Sequence, residues 1–175
     1  MVHLTKIYTK TGDDGNTSLA NNTRVFKHDS VIRAIGAVDE ANSAIGMIKG
    51  YNLDQIQNDL FDIGAVLAGS KTVQITEDKI RSIELNIDSL NESLPPLHSF
   101  VLPKGEIHNA RAIVRRAERE VWMAYELHGE IDNIQIDILC AKYLNRLSDY
   151  LFVLARYDSG RLGEVLWKPM GQNEK

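Results

Sequence analysis

The chain has a single cysteine, Cys140, in 175 residues. An internal disulfide is therefore excluded, and the lone thiol reads as a buried apolar residue of a protein kept in a reducing compartment. No apolar run reaches the ~20 residues a membrane-spanning helix needs. The N-terminus also lacks the apolar stretch of a secretory signal. Both absences lead to the expectation of a cytoplasmic protein with no membrane partner. Basic residues are in deficit, 20 against 24 acidic ones, for a net charge of −4, which argues against a general nucleic-acid binder. The G-x-x-x-x-G-K-S/T spacing of a Walker phosphate loop is missing. So is the Glu-x-x-His pairing of a ferritin-like di-metal bundle. His3, His28, His98, His108 and His128 are scattered and read as structural or solvated. There is no internal repeat and no strand-like alternation of any length.

What is present is helical. With 43% hydrophobic residues the chain is an ordinary globular protein, one domain spanning 1–175 and large enough to bury most of its chain surface. Asp29 or Ser30 can cap a first helix running to about Lys49. Leu53, Ile56, Leu60, Ile63 and Leu67 recur at helical spacing and give a second. Ile80, Ile83, Ile87 and Leu90 give a third, begun near Thr76 and stopped before Pro95-Pro96. The fourth runs from about Ile107 to Leu127, ending near Gly129. The fifth runs from about Asp132 to Tyr157 and includes Ile134. Short connections between long helices predict an all-α, five-helix antiparallel bundle.

Three segments carry chemistry. The first, Lys6 to Leu19, gathers Thr9, Lys10, Thr11, Gly12, Asp13, Gly15, Thr17 and Ser18. Hydroxyls, free amides and a lysine are the groups that wrap a polyphosphate, and glycines let the backbone approach it. The same composition also makes a plain polar turn. The second is Arg111-Ala-Ile-Val-Arg115-Arg116-Ala-Glu118-Arg119. At ~100° per residue, Arg111, Arg115, Glu118 and Arg119 share one helical arc, with Ala110, Val114, Ala117 and Val121 opposite and Arg116 between the faces. Guanidiniums so grouped suit a triphosphate. A solvated face with i,i+4 ion pairs is the plainer reading. Adjacent arginines count somewhat against that, since they repel without an anion. The third is a mostly apolar helix interrupted by Asn145, Arg146, Ser148 and Asp149. Asn145, Asp149, Phe152 and Arg156 share a face there. They form either a structural network between helices or, through Asn145, a surface toward a ligand.

These residues resemble one family. Lys6 to Leu19, Arg24-Val25-x-Lys27, Gly36-Ala-Val-Asp39-Glu40-x-Asn42-Ser43-x-x-Gly46, Leu60 to Ala68, Phe100-Val-Leu-Pro103, Ala110 to Arg119 and Asn145 to Phe152 are similar, in order, to the PduO-type ATP:cob(I)alamin adenosyltransferases. The likeness runs from about residue 6 to 156. It departs after Pro103, where Lys104 replaces the first glycine of a Gly-Gly pair. The segment past Gly105 is also shorter by about one helical turn.

The resemblance implies a five-helix bundle, a homotrimer with sites between subunits, and transfer of the 5′-deoxyadenosyl group of ATP to a cob(I)alamin substrate with release of triphosphate. It implies phosphate ligands in Lys10, the amides of Thr11, Gly12 and Asp13, Thr17, Ser18 and Lys27, within the loop that also holds Thr9 and Gly15. Arg115, Arg116 and Arg119 would add charge, and Glu118 and Asn145 would lie near ribose or adenine. Mg²⁺ would bridge phosphate oxygens. Phe100 would keep the lower axial ligand off cobalt, and a corrinoid reductase would supply electrons. Asp39 would pair with Arg111 of a neighbouring chain. A non-catalytic nucleotide-binding bundle or corrinoid carrier is the alternative.

Overall fold

A computed structural model describes residues 7–128, 136–160 and 163–169. His3, Lys6, Gly129, Asp132 and Ile134 lie outside the described residues. Five helices carry the fold: α1 Ser30–Ile45, α2 Asp54–Leu67, α3 Glu77–Asn91, α4 Gly105–His128 and α5 Ile138–Ser159. Their starts follow capping chemistry. The Asp29 and Asp137 carboxylates accept from the amides of Val31 and Leu139, both at 2.9 Å, and Thr76 Oγ1 accepts from Lys79 N at 3.4 Å. Two ends differ from expectation. The first helix stops at Ile45, because Met47 and Ile48 fold back onto the carbonyls of Ala44 and Ile45. The fifth begins at Ile138, after the Asp137 cap, rather than near Asp132.

Polar contacts fix the helix directions. From one end to the other, α1 meets α4 at Asp29–His128 (3.1 Å), Arg33–Glu120 (3.0 Å), Glu40–Arg116, and the Lys49 amide on Glu106 (2.7 Å), so the two run antiparallel. Along α5, Lys142 meets Glu77 and Arg146 meets Glu84, so α3 and α5 run the same way. An up-down sequence of five helices requires one such parallel pair. The core holds Val31, Leu60, Ile63, Leu67, Leu144, Leu147, Leu151 and the small residues Ala110, Val114, Ala117 and Val121, all essentially sealed from water. Small residues along that stripe of α4 let it approach α1 and α5 closely. Cys140 is buried too, which pushes its thiol up to about 12.

Two short features escape periodicity. Strands β1 (Asn16–Ser18) and β2 (Arg24–Phe26) form an antiparallel ribbon, Thr17 opposite Val25. Buried Leu19 and the Ala20 amide on Ala68 O (2.8 Å) fasten it to the end of α2. At the other end of the bundle, residues 163–169 strap onto the segment before α4, through Leu102 N to Val165 O at 2.8 Å and Trp167 N to Phe100 O at 2.7 Å. Buried Arg156 ties the strap down, donating to Glu164 at 2.7 Å and to Pro95 O at 2.8 Å.

Candidate active site

The N-terminal loop is shaped by its own backbone. Gly15 has φ +85° and Lys10 has φ +61°, a left-handed geometry that costs a lysine energy. The Asp13 amide bonds to Lys10 O and the Gly15 amide to Gly12 O, while the Thr9 and Thr11 hydroxyls meet at 2.9 Å. A Cβ on Gly12 would stand 2.9 Å from Asn16 O and 3.1 Å from Lys27 Nζ, so only glycine fits under the Lys27 side chain. Arg24 reaches Thr11 O at 3.3 Å and Asp14 at 3.5 Å. Hydrogen bonds from Asn16 hold the Asp14 carboxyl below its usual range. The loop thus turns Lys10, Lys27, Asp13 and Ser18 outward, all exposed, with Thr17 half-buried in the ribbon.

The arginines do not act as one row. Arg115 Nη1 donates to Glu118 Oε2 at 2.7 Å and lies 3.3 Å from Asn145 Oδ1 on α5. Glu118, expected on the exposed arc, is buried, with its side chain 9% exposed. Arg119 folds back onto Arg115 O at 3.2 Å. Arg116 leaves this group and pairs with Glu40 on α1. Arg111 is half-buried, and its Nε is sealed from water with no partner among the described residues. Asp39 is exposed on α1, and no ion pair among the described residues joins it to Arg111. Asp149 pairs with Arg146 at 3.4 Å and Arg156 holds the strap, so only Asn145 of that face meets the arginines.

Among the described residues no hydrogen bond or ion pair joins 9–18 to Arg115 or Arg119 within one chain. The chain leaving β2 meets α4 through Asp29 on His128, nine residues or ~13 Å beyond Arg119. Phe100 lies on another part of the molecule, 78% exposed, at the mouth of a groove of about 810 Å³ formed with Leu97, His98, Phe152 and Trp167. The Phe100 and Trp167 rings are 6.2 Å apart. Trp167 was not singled out from sequence; its alternation with Val165 in a short apolar run was the available signal. Behind Phe152, at 6.1 Å, His108 is buried with both ring nitrogens unpartnered among the described residues. Burial, and then the charge of Arg111, push its pKa down.

The sequence model of the cobalamin adenosyltransferase family matches residues 7–158. The corrinoid adenosyltransferase of Mycobacterium tuberculosis H37Rv is 44% identical, covering 97% of this chain and 96% of its own. Corrinoid adenosyltransferase MMAB of Homo sapiens is 40% identical over 91% of this chain and 71% of its own. Among solved structures, a variant PduO-type ATP:corrinoid adenosyltransferase from Lactobacillus reuteri, complexed with cobalamin and ATP, superposes with a TM-score of 0.80 at 32% identity, covering 94% of this chain and all of that one. The chain belongs to the cobalamin adenosyltransferase family.

Proposed function

We propose that this protein is an ATP:corrinoid adenosyltransferase whose nucleotide lies along the α4–α5 seam beside Arg115 and whose corrinoid fills the Phe100 groove. The carrying observation is the spacing on α5. Asn145, which meets Arg115, and Phe152, which lines the groove, are seven residues apart and share a helix face, ~10 Å along the axis. A polar nucleotide edge and an aromatic groove on one stripe suit a reaction that joins a nucleotide carbon to a flat corrin. In that reaction the Co(I) electron pair of the corrinoid substrate attacks C5′ of ATP. That pair becomes the cobalt–carbon bond, the C5′–O bond breaks, and triphosphate leaves with the electrons of the broken C5′–O bond. The protein's share is in-line placement and neutralisation of the leaving anion.

Lys10, Lys27, Thr17, Ser18 and the amides of Thr11, Gly12 and Asp13 take the phosphates, with Thr9 and Gly15 setting the loop. Arg115, Arg119 and Arg116 add charge, Glu118 fixes Arg115, and Asn145 faces the nucleoside. Mg²⁺ would enter with the nucleotide and add positive charge beside the leaving triphosphate; among the described residues no three His, Cys, Asp or Glu side chains gather to hold a metal. With no described contact joining the loop to Arg115 within one chain, the complete site forms between subunits of a homotrimer. The exposed Asp39 of one chain pairs there with Arg111 of the next. The whole of 1–175 acts as one domain, in the cytoplasm, fed by a corrinoid reductase.

The test is adenosylation itself: incubation with Mg-ATP and chemically generated cob(I)alamin, followed by visible spectroscopy. Conversion to adenosylcobalamin is expected, and Phe100→Ala should slow it while leaving ATP binding intact. Normal ATP binding with no change in the corrinoid spectrum would favour the non-catalytic nucleotide-binding bundle.

A further inference from the structure

Arg115 and Arg116 are neighbours in sequence but are held in opposite ways. Arg115 is backed by a buried carboxylate, the 9%-exposed Glu118, and by Asn145, so its direction is set before any ligand arrives. Arg116 crosses to α1 and meets Glu40, with the two side chains 40% and 55% exposed. A water-exposed pair of this kind holds its partners by about fivefold at most. A triphosphate offers the same guanidinium a multiply charged, bidentate acceptor. The fold has little need of the Glu40 contact. The α1–α4 seam is also stitched by Asp29–His128, Arg33–Glu120 and the Lys49 amide on Glu106. Beneath these lie Ala34, Ala37, Val38, Ala110, Val114 and Ala117, all buried.

We propose that Glu40 is a competing counter-anion for Arg116. It holds the guanidinium on α1 in the empty site, yields it to the triphosphate of bound ATP, and reclaims it as inorganic triphosphate departs. The inference rests on reading the arginines as the phosphate-binding edge. No covalent bond changes; one ion partner replaces another. The consequence is weaker polyphosphate binding in exchange for readier product release, because a ligand that must first displace Glu40 binds with an affinity reduced by the fraction of free Arg116. Selectivity should follow the ligand's phosphate charge and be indifferent to the corrinoid.

The experiment uses inorganic triphosphate as an inhibitor of adenosylation by the full-length protein. Glu40→Gln should tighten triphosphate inhibition and lower the KM for ATP, each by up to about fivefold, and leave the KM for cob(I)alamin unchanged. Arg116→Ala should weaken triphosphate inhibition, and adding Glu40→Gln to it should change nothing further. Unchanged or weaker triphosphate binding in Glu40→Gln overturns the proposal, as does a full Glu40→Gln effect that survives in the Arg116→Ala background. A wild-type protein that neither adenosylates nor binds triphosphate removes the phosphate-edge reading, and this inference falls with it. A wild type that does both while Glu40→Gln matches it removes the inference alone.

Discussion

Two sets of buried polar groups in this bundle are treated in opposite ways. Between α2, α3 and α5, the Asp59 carboxylate is 5% exposed and accepts from Tyr143 Oη at 2.9 Å, Gln55 Nε2 at 3.0 Å and Lys79 Nζ. Lys79 also reaches Asp62 at 2.8 Å. Beside the Phe100 groove, His108 is as deeply buried, yet neither ring nitrogen has a partner among the described residues, and Arg111 Nε has none either. Burying a polar atom unpaired is costly. The Asp59 set meets that cost within the chain, which marks it as scaffold. The His108–Arg111 set does not, and it borders the groove and the arginines. The lesson is that saturation, more than burial, separates structural polar clusters from those next to a working surface.

The sharpest way to break this contrast is at Asp59. Asp59→Ala leaves the Lys79 ammonium and the Tyr143 hydroxyl without their shared acceptor. Lys79 keeps Asp62, so the loss is mainly that of the buried Tyr143 hydroxyl left unsatisfied and of the packing around it, about 1–3 kcal/mol. Burial, the largest cause of the raised Tyr143 pKa, remains in the variant, so the phenol stays un-ionised and its hydroxyl is left without an acceptor. Urea unfolding should show the loss, while activity per folded molecule stays near wild type. A large fall in turnover with unchanged stability would move Asp59 from scaffold to site.

Arg115→Ala should do the reverse. The apolar face of α4 is untouched, so the fold should persist, with only the smaller loss of stability that comes from leaving the buried Glu118 carboxylate without its ion partner. A charge-assisted contact to the leaving triphosphate is worth on the order of 3 kcal/mol, so turnover should drop about a hundredfold. Near-normal turnover would return Arg115 and Glu118 to the status of a surface ion pair.

The loop extends the contrast to the backbone. Its described hydrogen bonds inside 9–18 are few and lie on exposed or half-buried residues, which is the pattern of a segment that opens easily. Hydrogen exchange across 9–18 should slow several-fold on adding Mg-ATP, with α2 and α3 unaffected. Unchanged exchange at saturating ATP would take this loop out of the site.

The helices were legible because apolar residues recur every three or four positions and because Asp29 and Thr76 are good caps. The β1–β2 ribbon was not, since three-residue strands cannot display alternation. Nor was the α5 start, where an Asp137 cap outweighs continuing apolar spacing. In the site, residue types were readable and aims were not. Helical spacing places Arg115 and Arg116 side by side, but their separate partners, Glu118 and Glu40, depend on burial and on α1, 76 residues away in sequence for the latter. The Asp59 set joins three helices by contacts 20 and 84 residues apart, and the strap closes on Phe100 from the far end of the chain. No local pattern encodes such pairings.

The smallest expected effect tests the orphaned side of the comparison. His108 is packed among the apolar surface of α4, the Phe152 ring on α5 and, through its field, Arg111 on α4 and Glu164 on the strap. Burial and Arg111 disfavour the imidazolium, and Glu164 only partly offsets them, so the folded pKa lies below that of the unfolded chain. The sign follows from linkage. At a pH between the two values the unfolded chain binds a proton that the folded chain refuses, so acid favours unfolding. The stability tied to neutral His108 is therefore complete above the ordinary histidine pKa and is lost as pH falls through the folded value. His108→Phe keeps a ring against Phe152 and removes both unpartnered nitrogens, a replacement that is neutral or stabilising when no partner is left behind. Urea unfolding of the wild type should weaken more steeply on mild acidification than that of His108→Phe, with the two close at neutral pH. Parallel profiles would mean that His108 has partners in solution, and that the groove side of the bundle is as saturated as the Asp59 side.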